Sequence, residues 1–363
     1  MSKRIIIAGG GTGGHIFPAI AVANALKRKD GSLHILFVGA KGKMEMEKVP
    51  QAGYEIKGLD IAGFNRSSLI KNISLPFKII KSLWQAKKII KEFRPDAVVG
   101  VGGYASFPML RLAQQKKIPT LIQEQNSFAG KTNKILGKKA DVVCVAYDGM
   151  EKFFPKEKII HTGNPVRAAI SKSVVSREEA LAFFSLEQSK KTVLAIGGSL
   201  GAKSINEAVE KDLDRLLEAG LQLIWQTGKP FAPRAREKAA GKKGVWVNDF
   251  ISQMEYAYAA ADVVISRAGA IAIAELCVVK KPVLFVPYPY AAEDHQTVNA
   301  MNLVNKGAAI AINDNEAAEK AIPAIIQLAK DENKQRELSK NIEALAIANA
   351  DDRIADEILN LIE

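Results

Sequence analysis

The chain has 363 residues, of which 48% are hydrophobic and 25% charged, so it can bury large cores and its length suggests two domains. Its net charge of +12 points to an anionic partner (nucleotide, acidic lipid or nucleic acid), and the last is set aside because aromatics are only 7% and no recognition motif or zinc spacing is found. Cys144 and Cys277 are the two cysteines, both in apolar stretches; they exclude a disulfide framework and read as buried thiols of a reducing compartment. Ser2-Lys3-Arg4 leads into a short strand without an export-signal pattern, and no apolar run approaches the length needed to cross a bilayer. The expectation is a cytoplasmic protein, soluble or lying on a membrane surface.

The first strand, 4–8, runs into Gly9-Gly10-Gly11-Thr12-Gly13-Gly14-His15. Glycine lets the backbone turn sharply and approach a ligand closely. The helix that follows points free N–H groups and the positive end of its dipole at the same place, where a diphosphate is the usual guest. His15 adds a titratable ring there. Gly9, Gly11 and Gly14 also fit the G-x-G-x-x-G pattern of a dinucleotide site, whose second strand ends in an acid that binds a ribose. Here the second strand, 34–38, is followed by Gly39-Ala40-Lys41, and no acid stands at its end. Lys41 and Lys43 suit a 2′-phosphate, which keeps an NADP-dependent dehydrogenase as an alternative.

Strands are next expected near 54–59, 96–101, 119–123, 141–145 and 158–162, with amphipathic helices between them. Leu69–Phe93 interleaves Ile70, Ile73, Leu75, Phe77, Ile79, Ile80, Leu83 and Trp84 with six lysines, and Pro76 starts or bends the helix. Two readings stay open: a helix at a membrane interface, or one that packs on its own sheet and shows its lysines to water. Val101-Gly102-Gly103-Tyr104 and Gln123-Glu124-Gln125-Asn126 end two strands on the rim where His15 is expected. Glu124 there orients the histidine, serves as a base itself, or pairs with a lysine.

Gly163-Asn164-Pro165-Val166-Arg167 suits a hinge. Beyond it the same grammar restarts: strand 192–196, the loop Gly197-Gly198-Ser199-Leu200-Gly201, and a helix from Ala202. More strands are expected near 221–226, 244–248, 262–265, 283–286 and 308–312, then three helices near 315–331, 333–347 and 351–363. The fold class is therefore α/β, with two Rossmann-like domains of parallel sheet covered on both faces. The expected domains are 1–164 and 165–345, with 346–363 a helix that can pack back on the first. Ligands in such sheets bind at the carboxyl ends of the strands, so two facing domains would place a glycine loop on either side of a cleft.

Within the second half, Arg267-Ala268-Gly269-Ala270 forms a turn before a helix that carries Glu275. A carboxylate there accepts two hydrogen bonds from a ribose diol, or merely offsets the helix dipole. Gln296 and Asn299 share a helix face and suit sugar hydroxyls, or belong to a solvated helix start capped by Asp294. The four histidines, at 15, 34, 161 and 295, have no ligand spacing, and Asp212-Leu213-Asp214 lies within an amphipathic helix and reads as surface charge. No metal and no cofactor are expected. Diphosphate charge is then balanced by the glycine loops, the helix dipoles and a cation, with Arg167 and Arg267 the candidates.

Taken in order, Gly10–Ala19, Gly102-Gly103-Tyr104, Glu124-Gln125-Asn126, Gly163–Arg167, Gly197–Ala202, Arg267–Ala270 and His295–Ala300 resemble the MurG family of bacterial N-acetylglucosaminyltransferases, which convert lipid I to lipid II in peptidoglycan synthesis. The resemblance implies the glycosyltransferase-B fold without a bound metal. It implies UDP-GlcNAc as donor, undecaprenyl-diphosphate-MurNAc-pentapeptide (lipid I) as acceptor, a β-1,4 bond formed with inversion, and no nucleic acid partner. Carried over by motif, the backbone of Ile251 contacts uracil, Arg167 lies beside the base and Glu275 holds the ribose. Ser199 and Ala270, Ile271 and Ala272 hold the phosphates, and Gln296 and Asn299 read the GlcNAc hydroxyls. Thr12, Gly13, Gly14 and Asn126 face the donor from the first domain, and His15, Tyr104 and Glu124 are acceptor-side, catalytic candidates. His15 is the first choice for the base and Glu124 the second; as an alternative, His15 binds the acceptor diphosphate as a cation. Ala268 and Ala272 stand where the family often has serine and threonine, leaving backbone N–H groups to serve there. A lipid-linked acceptor makes Ile73, Leu75, Phe77, Ile80 and Trp84 the expected contacts with an anionic membrane, at the cytoplasmic face of the bacterial inner membrane. The alternatives are another UDP-sugar transferase or an epimerase of the same fold, the NADP-dependent dehydrogenase, and a non-catalytic lipid-binding module.

Overall fold

The computed structural model describes residues 2–63 and 74–363. They form two compact units, residues 1–166 with 349–363, and residues 167–348.

In the first unit the strands are β1 (Arg4–Ala8), β2 (His34–Ala40), β3 (Glu55–Leu59), β4 (Ala97–Gly100), β5 (Thr120–Glu124), β6 (Val142–Val145) and β7 (Ile159–His161). They make one parallel sheet in the order β3-β2-β1-β4-β5-β6-β7. The connecting helices are α1 (Gly13–Lys29), α2 (Glu45–Gln51), α3 (Leu75–Phe93), α4 (Ser106–Gln115) and α5 (Lys131–Gly137). Ile5, Ile6, Ile7, Val98 and Val99 are all buried, as central strands covered on both faces require.

The second unit begins with the short helices α6 (Ala168–Ser171) and α7 (Arg177–Phe183). Its strands are β8 (Thr192–Ile196), β9 (Gln222–Gln226), β10 (Val245–Asn248), β11 (Val263–Ser266), β12 (Val283–Phe285) and β13 (Ile310–Ala311), parallel and ordered β10-β9-β8-β11-β12-β13. Helices α8 (Lys203–Glu218), α9 (Ala232–Ala239), α10 (Met254–Ala260), α11 (Ala270–Val278), α12 (His295–Val304), α13 (Ala317–Lys330) and α14 (Glu332–Glu343) cover it. Trp225, fully buried, donates its indole N–H to Asn206 Oδ1 at 3.0 Å, so its polar atom is satisfied inside the core.

Every expected strand is present, with ends displaced by a residue or two. β13 is the most reduced, to the edge pair Ile310–Ala311, although Ile312 N still reaches Phe285 O at 2.9 Å. Asp212 and Asp214 lie on α8, as read. Asp212 departs from helical backbone (φ −110°, ψ 21°), and Asp214 pairs with Lys238 and Lys242. Both cysteines are buried, and burial pushes the Cys277 thiol up to about 12.

The last helix, α15 (Ala350–Asn360), belongs to the first unit. Ile354, Ala355 and Ile358 are fully buried in the cluster that holds Val22, Ala23 and Leu26 of α1. Arg28 and Lys29, at the C-terminal end of α1, pair with Asp351, Asp352 and Asp356 at 2.7–2.9 Å. The apolar contact dominates. A buried isoleucine contributes roughly 1.5–3 kcal/mol, whereas an exposed ion pair contributes ~0.2–1 kcal/mol.

In each sheet the chain starts at a central strand, builds to one side, and then crosses to the other. The switch points lie between β1 and β4 and between β8 and β11. Both glycine loops therefore leave the carboxyl end of a switch-point strand, where open α/β sheets bind their ligands.

Candidate active site

In the first unit, β1 ends at Ala8 and the chain passes through Gly9–Thr12 into α1, with His15 half-buried in its first turn. Thr12 is the N-cap residue and makes no capping bond with its side chain. His15 Nδ1 lies 3.0 Å from Gly10 O and 3.2 Å from Thr12 Oγ1. A carbonyl can only accept, so the Gly10 contact places the proton on Nδ1. In the neutral ring Nε2 is then the basic nitrogen. That nitrogen faces Gly102, where an added Cβ would come within 2.9 Å of it.

Sequence reasoning missed a residue here. Glu45, 1% exposed, opens α2 and folds back toward the glycine loop. Its Oε1 accepts from Ala40 N and its Oε2 from Gly11 N, each at 3.0 Å. Gly10 and Gly39 leave it room: a Cβ at Gly10 would fall 2.3 Å from Oε1, and one at Gly39 2.4 Å from Cγ. No acid ends β2, but one five residues further along the chain reaches the glycine loop all the same. A dinucleotide pyrophosphate at the Gly11 N–H would meet this carboxylate, which counts against the dehydrogenase alternative. The sequence signal was the pairing of Gly39 with Glu45, legible only once both are known to meet Gly10.

Tyr104 is half-buried, with its ring beside Gly11 and Gly63. Burial and then the Glu45 charge hold its phenol above the ordinary value. Gly103 has φ +78°, and a Cβ on it would lie 2.4 Å from Gly10 O, so only glycine fits between the two turns.

Glu124, 2% exposed, ends β5. Its Oε1 accepts from Asn126 N (3.1 Å) and Asn126 Nδ2 (3.3 Å), and its Oε2 from Gly130 N (3.0 Å) and Asn133 Nδ2 (2.9 Å). None of these partners is a lysine or His15. The carboxylate uses these bonds to hold the 125–130 loop. Asn126, half-buried, is held by that carboxylate.

In the second unit, the 197–201 loop leaves β8, with Ser199 and Leu200 exposed. Gln226 Nε2 ties the loop down at Gly198 O (2.7 Å). Ala270, Ile271 and Ala272 form the first turn of α11, and Glu275 follows one turn on, 4% exposed. Arg167 grips Glu275 as a fork, Nε to Oε1 at 2.8 Å and Nη2 to Oε2 at 3.1 Å, and the Tyr258 hydroxyl donates to Oε2 at 3.0 Å. Burial opposes the Arg167 charge, but the Glu275 carboxylate outweighs it and holds the guanidinium above its ordinary value. Burial, then the same carboxylate, pushes the Tyr258 phenol well up. A carboxylate has about four lone-pair sites, and three are filled here. Arg167 and Glu275, expected to meet different parts of a ligand, are bonded to each other.

Gln296, half-buried, and Asn299, fully buried, lie on one face of α12. Gln296 Oε1 accepts from Tyr288 N at 3.0 Å, and Asn299 Nδ2 points to Ala268 O at 3.4 Å. Asp294 is the N-cap residue but caps no backbone N–H; it accepts from Thr297 Oγ1 at 2.7 Å. Ile251 is 2% exposed, which leaves its backbone as the part a ligand can use.

Arg267 does not stand open to an anion. Its guanidinium donates to Val286 O (2.9 Å), Pro287 O (3.1 Å), Asp314 Oδ1 and Ser204 Oγ. It ties the β11, β12 and α8 ends together.

On α3, the faces divide. Ser82, Ala86, Ile89 and Ile90 are buried, whereas Phe77, Ile80 and Trp84 are 75%, 62% and 79% exposed at helical spacing. Leu75 is half-buried, and Ile73 lies outside the described residues. Lys81 is bound to Asp60 at 2.9 Å, and Gln85 Nε2 bonds the same carboxylate. Among the described residues no helix is long and apolar enough to cross a membrane, and no cluster of three His, Cys, Asp or Glu side chains gathers.

Residues 5–145 match the glycosyltransferase family 28 N-terminal domain and residues 192–357 match the family 28 C-terminal domain. The chain belongs to glycosyltransferase family 28. It is 53% identical to the UDP-N-acetylglucosamine–N-acetylmuramyl-(pentapeptide) pyrophosphoryl-undecaprenol N-acetylglucosamine transferase of Parabacteroides distasonis, over 99% of this chain and 98% of that one. The protein of the same name from Phocaeicola vulgatus is 55% identical over 99% of this chain and 96% of its own. The crystal structure of Acinetobacter baumannii MurG superposes with a TM-score of 0.80 at 30% identity, covering 99% of each chain.

The Arg267 network generates a prediction. Hydrogen bonds that involve a charged group contribute ~1.5–3 kcal/mol. Arg267→Ala should lower the free energy of unfolding in urea by about that amount. Unchanged stability together with lost UDP binding would make Arg267 a ligand cation instead.

Proposed function

We propose that this family 28 protein transfers GlcNAc from UDP-GlcNAc to the 4-hydroxyl of the MurNAc unit of undecaprenyl-diphosphate-MurNAc-pentapeptide, forming lipid II with a β-1,4 bond. The observation that carries the reading is end-to-end identity above 50% to relatives named for that transfer. The donor diphosphate lies at the second unit's switch point, against Ser199 and the N–H groups of Ala270, Ile271 and Ala272. Ile251 meets uracil through its backbone, and Arg167 lies beside the base. Glu275 has about one lone pair left, so it holds the ribose through one hydrogen bond, or through two once Tyr258 or Arg167 gives way. Gln296 and Asn299 read the sugar hydroxyls, and Thr12, Gly13, Gly14 and Asn126 are further proposed contacts of the donor.

His15 is the base. The proton on Nδ1 leaves Nε2 to take the acceptor's hydroxyl proton as that oxygen attacks the anomeric carbon. The bond to UDP breaks on the opposite side, the configuration inverts, and the second unit's backbone dipoles stabilise the charge that grows on the diphosphate. Tyr104, beside Gly11, orients the acceptor. Glu124 holds the 125–130 loop.

The undecaprenyl chain keeps the acceptor in the bilayer, so the protein works at a membrane surface, on the cytoplasmic face. Phe77, Ile80 and Trp84 form the apolar contact, flanked by Leu75. Lysines of the same helix add about 1 kcal/mol each near anionic headgroups.

Two outcomes are expected. His15→Ala should lower kcat about 10²–10⁴-fold, with UDP-GlcNAc affinity by calorimetry unchanged; parallel losses in both would make His15 a donor-binding residue. Replacing Phe77, Ile80 and Trp84 with serine should release the protein from anionic vesicles in co-sedimentation while UDP affinity stays intact. A variant that still sediments in full would place the docking surface elsewhere.

A further inference from the structure

One peptide group joins Glu45 to His15. The N–H of Gly11 donates to Glu45 Oε2 at 3.0 Å, and the C=O on the other side of the same peptide bond, that of Gly10, accepts from His15 Nδ1 at 3.0 Å. The peptide is planar and conjugated. Pulling electron density toward its oxygen from the N–H side makes that oxygen a stronger acceptor, and hydrogen bonds in such chains reinforce one another.

The arrangement is built. Glu45 is 1% exposed, its other oxygen is fixed by Ala40 N at 3.0 Å, and two glycines, Gly10 and Gly39, leave the space it fills. Gly103 closes the far side of Gly10 O, where a Cβ would approach to 2.4 Å. The Gly10–Gly11 peptide is thus held from three elements. Leaving a carboxylate in so buried a place is costly unless its oxygens are bonded, and here both are, to backbone donors.

We propose that Glu45 is a positioning residue for the transfer reaction. Through the Gly10–Gly11 peptide it fixes His15 in the Nδ1-protonated tautomer and stabilises the imidazolium formed when Nε2 takes the acceptor proton. The inference rests on the reading of His15 as the base. In the step itself, the acceptor oxygen bonds to the anomeric carbon, its proton moves to Nε2, and the bond from that carbon to the diphosphate oxygen breaks with its electron pair leaving on UDP. The ring then carries a positive charge, and the Nδ1–H to Gly10 bond becomes charge-assisted. In a serine protease an aspartate does this work by direct contact; here the carboxylate acts at one peptide's remove.

Glu45, from the first turn of α2, and Tyr104, from the turn after β4, are titratable groups that face this loop from neighbouring elements. Tyr104 is held neutral by burial and by Glu45, so it adds no charge as the ring titrates.

The test uses the full chain with histidines labelled with ¹⁵N. In the wild-type protein above its titration, His15 should show the Nδ1–H tautomer; a dominant Nε2–H tautomer overturns the proposal without any variant. E45Q removes the charge at nearly constant size. It should lower kcat about 10–100-fold, as loss of an outer partner of a working histidine does. The His15 titration midpoint by NMR, and the acid limb of the kcat/KM profile, should both move to lower pH, while UDP-GlcNAc affinity is unchanged. If E45Q loses activity and thermal stability with the His15 midpoint unmoved, Glu45 is only a brace and the proposal fails. Full activity of His15→Ala would instead remove the base reading, an outcome distinct from either.

Discussion

A carboxylate bonded to backbone N–H groups at the end of a central strand sets the character of the first unit. Glu45 takes the N–H of Gly11 and that of Ala40. Anion-binding loops work by presenting such N–H groups to a ligand. One already satisfied by an internal anion is a poor place for a second. The first glycine loop has instead become a rigid frame whose carbonyl, that of Gly10, holds a histidine ring. Gly10, Gly39 and Gly103 are the residues that make this possible, because a side chain at any of them would occupy the space of Glu45 or of the Gly10 carbonyl.

The second unit repeats the topology and spends its groups differently. Its loop keeps Ser199 exposed, and its buried carboxylate, Glu275, is placed one turn into α11, where Arg167 pairs with it and Tyr258 donates to it. The same strand–loop–helix unit thus supports two arrangements: a framed histidine on the one hand, and an open turn with a paired acid beside it on the other. On the proposed reading, the open turn receives the donor diphosphate and the framed loop serves the acceptor.

Much of the fold was legible because parallel strands buried on both faces appear as short apolar runs. Ile5-Ile6-Ile7 and Val193-Leu194-Ala195 are plain in the sequence, and so are the glycines after them. What was not legible is pairing across distance. Glu45 lies five residues past the end of β2, and nothing local shows that it turns back to Gly11. Arg167 and Glu275 are 108 positions apart, so periodicity says nothing of their fork. Arg267 looked like a ligand cation because a basic residue beside a glycine turn is ambiguous until Asp314 and the carbonyls of Val286 and Pro287 are seen around it. Glu124 was the second choice for the base on its type and rim position; the Asn126, Gly130 and Asn133 donors that bond it were not visible. Sequence thus located the two loops, whereas the neighbours that claim a side chain's lone pairs and protons are read only from the structure.

The central claim is that the two glycine loops differ in what they can accept, the first closed by its own carboxylate and the second open to a diphosphate. Amide hydrogen exchange of the full chain, measured with and without UDP, tests it most directly. The account predicts that UDP slows exchange in residues 197–202 and 269–275, while the Gly11 amide is already protected without ligand. Protection gained only in residues 9–14, with the second loop unaffected, would contradict it.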